Sequence, residues 1–322
     1  MQKIKTKLAK ILMKSFPSRP KFSLNKKFSE IVNHKDFKKL SQTEKDKILY
    51  NLAENHYNED KNKPFDTYFR KYNLKDHFKN KSVLDLGCWC GGKSVSFAER
   101  WNVKEMIGTD IDANFIRGAN LFSQKKNLPD VKFNFLVAYG ESLPFDESRF
   151  DGIVNYDVFE HLQSVDKTLS ECYRVLKPGG KMFCVFPSYY TIGESHLNFA
   201  TKMPIIQWLF KPEILNKAYS EIIEARGEEA HWYKPRNIDK EEWKKYDAGI
   251  GINGTTFKTF KNTVNKVGFS DLYFIPTPFM SVGKIANKYK VIRLIAKVFT
   301  PLVKINFLRD YLSHRIVAVL KK

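Results

Sequence analysis

Cysteine is scarce, with four residues, Cys88, Cys90, Cys172 and Cys184, in a chain of 322. No two stand as a CxxC pair. This excludes a zinc finger or ribbon and a small disulfide scaffold, and it points to a reducing compartment. Long apolar runs are also missing. The nearest approach to one, Val291 to Leu308, is broken by Arg293, Lys297, Pro301 and Lys304, which excludes a transmembrane helix there. The first residues, MQKIKTKLAKILMKSF, lack an unbroken apolar core and a small-residue cleavage site. They carry Lys where a transit peptide carries Arg and Ser, which argues against a cleaved signal.

Acidic residues are absent from one end and nearly so from the other. Residues 1–27 hold nine Lys or Arg and no acid, and residues 280–322 hold ten against the single Asp310. Lys outnumbers Arg 44 to 11, a bias that an AT-rich genome produces by itself, so the net charge of +20 says little alone. Its distribution says more, because each end is +9 and the long middle about +2 (20 − 9 − 9). Charge gathered at the termini predicts a local anionic partner surface.

What is present is a globular composition, 43% hydrophobic and 14% aromatic, on a chain long enough to bury a sizeable core. Four stretches are expected. Residues 1–80 form a basic helical N-terminal extension, with Ile4, Leu8, Ile11 and Leu12 at helical spacing and Lys3, Lys7, Lys10 and Lys14 elsewhere on the helix. In residues 81–187 short apolar runs at 82–86, 105–109, 131–137, 152–155 and 180–186 alternate with helical patterns at 93–101, 114–126 and 165–176. That βαβ rhythm predicts a parallel sheet with right-handed crossovers. Lys177-Pro178-Gly179-Gly180 marks a sharp helix stop before the fifth strand.

Residues 188–254 are an aromatic-rich insertion with Tyr189, Tyr190, Trp208, Trp232 and Trp243, placed over a substrate site. Residues 255–322 return to order, with a helix at 255–267, strands at 272–275 and 315–320, and a second basic amphipathic segment at 276–312 between the strands. The fold class expected is α/β, a doubly wound, mostly parallel seven-stranded sheet with helices on both faces.

The sharpest signal is the run Val83-Leu84-Asp85-Leu86-Gly87-Cys88-Trp89-Cys90-Gly91-Gly92, an apolar strand entering a glycine turn and then a helix. Gly87 lets the backbone approach a ligand, Gly91 and Gly92 allow the turn and helix packing, and the helix N–H groups face the ligand. Asp85 puts a carboxylate beside the turn, which suits an ammonium and would repel a pyrophosphate, so a dinucleotide dehydrogenase is disfavoured. Asp110, nineteen residues after Gly91 and at the end of the second strand, can accept both hydroxyls of a ribose.

With these residues the chain resembles the class I S-adenosylmethionine-dependent methyltransferases, in the broad small-molecule group with a DxGxGxG turn. The resemblance runs over residues 81–187 and takes in Gly140-Glu141-Ser142-Leu143-Pro144-Phe145, Phe150-Asp151-Gly152-Ile153-Val154 and Leu176-Lys177-Pro178-Gly179-Gly180. It implies S-adenosyl-L-methionine as cofactor. Asp85, Gly87, Cys88 and Gly91 would lie along the methionine portion, Asp110 and Ile111 at the ribose, Glu141 and Ser142 at the adenine through their backbone N–H groups, and Asn155 with Tyr156 on the methyl-donor side. Two departures stand out, Trp89 in place of the middle glycine and Tyr139 where an acid often meets the adenine amine.

On the acceptor side two histidines are candidate bases. His161, in Phe159-Glu160-His161-Leu162, follows the fourth strand, and with Glu160 it can also be read as a metal ligand or as a plain packing residue. His196 follows the fifth strand, where a base for a hydroxyl acceptor is needed, and methyl transfer is expected at oxygen. No dedicated metal site is expected. Neither an Asn-Pro-Pro-Tyr run nor a Pro-Cys nucleophile is present, which argues against a nucleic-acid substrate.

The acceptor expected is a small molecule or a lipid-like one. Both basic ends, 1–27 and 280–322, have the pattern of helices lying in an anionic membrane interface, on a protein otherwise cytoplasmic. The competing readings are a non-catalytic S-adenosylmethionine-binding scaffold and an RNA-directed methyltransferase that uses the basic ends. Oligomeric state is not legible.

Overall fold

Alternation along the first strand sets the layers. In a computed structural model of the chain, which describes residues 2–18, 35–62, 65–191, 196–226, 252–278 and 301–322, strand β1 (Ser82–Leu86) sends Leu84 and Leu86 into one apolar cluster and Val83 into another on the opposite face. Neighbouring strands do the same, with Ile153 and Val154 of β4 on opposite faces, because successive side chains of a strand point to opposite sides. A sheet buried on both faces must be covered by helices on both.

The described strands form one seven-stranded sheet in the order β3-β2-β1-β4-β5-β7-β6. Its members are β1, β2 (Glu105–Asp110), β3 (Lys132–Val137), β4 (Phe150–Tyr156), β5 (Leu176–Pro187), β6 (Ser270–Pro278) and β7 (Ser313–Lys321). β7 pairs antiparallel with both β5 and β6, and the pairs among β1 to β5 are parallel. The expected sheet is therefore the observed one. Boundaries differ: β4, β6 and β7 are each longer than expected, β6 taking in 276–278 of the second basic segment, and β5 reaches back to Leu176, so that the Lys177–Gly180 turn is an irregularity inside the strand, where the register with β4 shifts between Phe150 and Gly152.

Among the described residues, the helices up to β5 are α1 (Gln2–Ser15), α2 (Lys35–Lys39), α3 (Gln42–Asn62), α4 (Leu74–Phe78), α5 (Gly92–Trp101), α6 (Ala113–Lys126) and α7 (Val165–Val175). After β5 come α8 (Ile206–Leu209), α9 (Pro212–Glu224), α10 (Phe257–Val267) and α11 (Asn306–Leu312). Val95 of α5 packs with Leu49, Leu52 and Ala53 of α3, while α7 and α10 supply the cluster on the other face of the sheet. Glycine decides how close α3 comes. A Cβ on Gly92 would lie 1.9 Å from the Ala53 carbonyl oxygen, and one on Gly118 3.0 Å from Leu49 Cβ.

The first 80 residues do not act together. Whereas α3 lies on α5 and α6, Ala9 and Met13 of α1 join Tyr189, Ile206, Ile214, Leu215 and Ala218 in a separate core beyond the end of β5. The tail of α1 is tied there as well, with the Ser18 amide donating to Ala200 and the Lys202 amide to Phe16. Among the described residues no helix is long and apolar enough to cross a membrane. Residues 19–27, the stretch 279–300 of the second basic segment, and Trp232 and Trp243 lie outside the described residues.

Candidate functional site

Asp85 faces α5 because it alternates with Leu84 and Leu86, and there the Ser94 hydroxyl donates to its carboxylate at 2.6 Å. Burial pushes the Asp85 carboxyl up to about 6, against the opposing pull of the Ser94 bond and of Lys93. The turn that follows is left-handed at Gly87, Trp89 and Gly91. Gly87 also has a packing reason to lack a side chain: a Cβ there would come within 2.2 Å of Val158 Cγ2, in the loop after β4. At Gly91 a Cβ would meet that of Ala119 at 2.6 Å, which is the helix packing expected of it. The Gly87 and Cys88 amides donate to the Thr109 carbonyl, and burial raises the Cys88 thiol well above its ordinary range.

Trp89 carries a positive φ of 49°, a conformation that strains a side-chain-bearing residue. Its ring leaves the turn, stacks on His56 with centroids 4.0 Å apart and tilts against Phe115 at 5.2 Å. The departure from glycine thus leaves the turn open.

Asp110 ends β2 with its carboxylate held by backbone donors. Oδ2 accepts the Trp89 N–H at 3.0 Å, Oδ1 accepts the Asp112 N–H at 3.0 Å, and the Ile111 N–H also bonds the group. A carboxylate has about four acceptor sites, so capacity remains for a ribose hydroxyl. Burial raises this carboxyl to about 6 despite those bonds. Ile111 beside it is 37% exposed, an apolar surface on which a purine can lie.

Asn155 lies opposite Leu86 across β1 and β4. Its Nδ2 donates to the Leu86 carbonyl at 3.1 Å, while its buried Oδ1 has no hydrogen-bond partner. Leaving such an acceptor bare costs about 1–3 kcal/mol, which a ligand carrying an N–H removes. The atom sits at the carboxyl ends of β1 and β4, where the strand order reverses and ligands of open α/β sheets bind. Residues and ligand type therefore fit: carboxylates and a bare carbonyl oxygen for an ammonium, and Asp110 for a diol.

On the adenine side one of the two expected backbone donors is engaged within the turn. The Ser142 amide donates to the Tyr139 carbonyl at 3.1 Å and is spent in the turn. The Glu141 carboxylate accepts the amides of Gln163 and Ser164, both at 3.1 Å, so its side chain caps the entrance to α7.

Around the end of β4 lies a cluster that sequence reasoning missed. Tyr156 has the Lys93 ammonium 3.5 Å from its ring centroid and the Arg315 guanidinium 5.3 Å from it, and Arg315 grips Asp157 with both terminal nitrogens. Burial lowers the Lys93 ammonium, against the pull of Asp157 and Asp60. The first turn of α5 and the start of β7 are more than 200 residues apart, and no local pattern announces their meeting.

His161 sits in the next turn, half-buried, its Nε2 3.7 Å from Glu160 Oε1. The turn is clamped by Asn253, which donates through Nδ2 to the Phe159 carbonyl at 2.7 Å and the Leu162 carbonyl at 2.8 Å. His196 opens a short 3-10 turn, Leu197 of which enters the core beneath α1, but its side chain lies outside the described residues. Among the described residues no three His, Cys, Asp or Glu side chains gather as a metal site requires.

Residues 84–184 match the family described as "Methyltransferase domain". This stretch is a class I S-adenosylmethionine-dependent methyltransferase domain. Its cofactor is S-adenosylmethionine. The chain is 34% identical over 102 residues to a sterol 24-C-methyltransferase of Pneumocystis carinii, covering 32% of this chain and 26% of that protein. It is 26% identical over 250 residues to the sterol 24-C-methyltransferase of Kluyveromyces lactis, covering 70% and 65% respectively. To the demethylmenaquinone methyltransferase of Oceanobacillus iheyensis it is 28% identical over 192 residues, 55% of this chain and 78% of that one. The chain spans less than two thirds of the length of the sterol relatives it matches.

The methyltransferase domain covers Asp85, Asp110, Asn155 and the Lys93–Tyr156 pair, whereas Arg315, Asn253 and Tyr189 come from sequence beyond it. The residues expected at the cofactor are thus local to the domain, and Arg315, Asn253 and Tyr189 reach its edge from the rest of the chain.

Proposed function

We propose that the protein transfers the methyl group of S-adenosylmethionine to a lipid-like acceptor. The observation that carries this reading is the array at the switch point: the carboxylates of Asp85 and Asp110 and the bare Oδ1 of Asn155 around one left-handed turn. In this reading Asn155 Oδ1 and Asp85 hold the ammonium, Asp110 the ribose hydroxyls, and Ile111 lies along the adenine. Bound S-adenosylmethionine supplies an electrophilic methyl on a sulfonium. The names of the relatives, sterol and demethylmenaquinone methyltransferases, support an apolar acceptor, and so does the aromatic wall of Tyr189, Tyr190 and Trp208 beyond β5.

For a hydroxyl acceptor His161 or His196 takes the proton as the oxygen attacks in line. The 24-C in the sterol relatives' name supports a carbon acceptor as an alternative to the oxygen expected from sequence. The Lys93 and Arg315 cations flank the end of β4, where they would stabilise the negative charge on a hydroxyl acceptor as it loses its proton.

The test is titration calorimetry with S-adenosylmethionine and its demethylated product, on the wild type and on Asp110→Ala, followed by transfer of a labelled methyl to fractionated lipid extracts. Loss of binding in the variant together with a labelled lipid supports the reading. Binding without turnover on any extract points to a cofactor-binding scaffold, and no binding at all overturns the cofactor assignment.

A further inference from the structure

Helix α1 is held by what is ordinarily the wrong side. Its buried residues are Thr6, Ala9 and Met13, which meet the core that α8 and α9 share with Tyr189, and Lys10 pairs with Glu221 of α9 at 2.6 Å. On the opposite side Ile4, Leu8 and Ile11 follow one another at helical spacing and are 73%, 50% and 54% exposed. Lys3, Lys5, Lys7 and Lys14 are exposed around that stripe, and the helix contains no acid. Phe16 at its end is also exposed.

The stripe has a continuation. Ile206 of α8 shares the core of α1, and around it Ile205, Trp208 and Leu209 are exposed. The Trp208 indole N–H donates to the Tyr190 carbonyl at 3.0 Å, and its ring meets Tyr311 of α11 at 5.4 Å. A partly exposed indole with its polar edge satisfied is the side chain that favours the boundary between water and lipid.

From these observations we infer that the outward face of α1, continued by Trp208 and Leu209, docks on an anionic lipid interface. Charge decides the occupant. A second copy of the chain would bring the same lysines face to face, and a phosphate backbone would engage the lysines but leave Ile4, Leu8 and Ile11 in water. An anionic lipid surface takes both, with headgroups on the lysines and the apolar stripe at the acyl boundary. Because α1 rests on the core that also holds Tyr189, at the exit of β5, docking presents the acceptor side of the protein to the bilayer. The inference stands without the proposed activity, since lipid binding needs neither cofactor nor turnover.

The experiment is flotation of the full chain with vesicles of phosphatidylcholine alone and of phosphatidylcholine mixed with phosphatidylglycerol, at low and high salt. Wild type is expected on the anionic vesicles only, and less at high salt. Leu8→Ser with Ile11→Ser, and separately Lys3→Glu with Lys7→Glu, each lower the partition by more than about tenfold. All four positions are exposed, so melting temperature and S-adenosylmethionine affinity stay as in the wild type. In Leu8→Trp the emission shifts to the blue on anionic vesicles alone. Equal binding to both vesicle types, or wild-type binding by both double variants, overturns the inference. So does a concentration-dependent dimer abolished by Leu8→Ser, or RNA binding that disappears with the lysines and is indifferent to Leu8.

Discussion

The ring of Trp89 stacks on that of His56, with centroids 4.0 Å apart and planes 30° from parallel. One residue belongs to the cofactor turn and the other to α3, so the N-terminal extension holds the turn from outside while the Trp89 amide holds Asp110 from within. The strain at Trp89 is offset by this stacking and by Phe115.

Removing the ring therefore loosens two elements at once. Trp89→Ala is expected to cost about 2 kcal/mol, less than a fully buried tryptophan because the ring is half-buried, and His56→Ala about 1 kcal/mol. Urea unfolding of the single and double variants checks it: the double variant should cost less than the two single variants together, because each ring stabilises the fold through the other.

Acidity should act on the cofactor side first. The carboxyls of Asp85 and Asp110 both rise from 3.8 to about 6 in the folded protein, because burial disfavours their charged forms. The folded state then binds more protons than the unfolded one between those values. The stability these groups contribute is present below about pH 4 and is lost as pH rises toward 6. Ligand affinity runs the other way, since an ammonium and a ribose diol prefer ionised carboxylates. The dissociation constant for S-adenosylmethionine should rise at least about tenfold from pH 7 to pH 5, as calorimetry at the two values measures.

Gly92→Ala tests the seat of α3. The new methyl would enter the space of the Ala53 carbonyl, a backbone atom that cannot rotate away. The expected loss is about 1–3 kcal/mol with a lower melting temperature, whereas Gly179→Ala, with open space around it, costs less and only through its left-handed backbone.

Asn253 is expected to matter to the turn that carries His161. Asn253→Ala leaves the carbonyls of Phe159 and Leu162 without their donor and should cost about 1–3 kcal/mol. If the clamp serves the site as well as the fold, methyl transfer falls further than the unfolded fraction explains, and Asn253→Asp restores neither, because a carboxylate donates nothing to a carbonyl.

Buried thiols give a further check on packing. Cys88, Cys90, Cys172 and Cys184 are free and buried, and burial raises each thiol. Thiol reagents should label the native protein slowly and all four sites rapidly in denaturant, as mass spectrometry of quenched samples reads.

Most of the α/β frame was legible because its signals are local. Apolar runs at a period of two, helices at 3.6, the turn after Leu86 and the acid at the end of β2 are each complete within a few residues, so the sheet, the switch point and Asp110 could be read off the chain. What Gly87, the Ser142 amide and the Glu141 carboxylate meet within the fold, Val158, Tyr139 and the start of α7, had no local signal. Lys93 beside Arg315 had no signal at all.

Amphipathicity marks the limit most clearly. The sequence by itself determined that α1 has an apolar side among lysines, because that follows from residue spacing. Which side turns inward was decided by the tertiary structure, where small and flexible side chains at Thr6, Ala9 and Met13 fit the surface of α8 and α9 and leave Ile4, Leu8 and Ile11 outside. A helix pattern states what must be buried somewhere, and only the neighbouring surface states where.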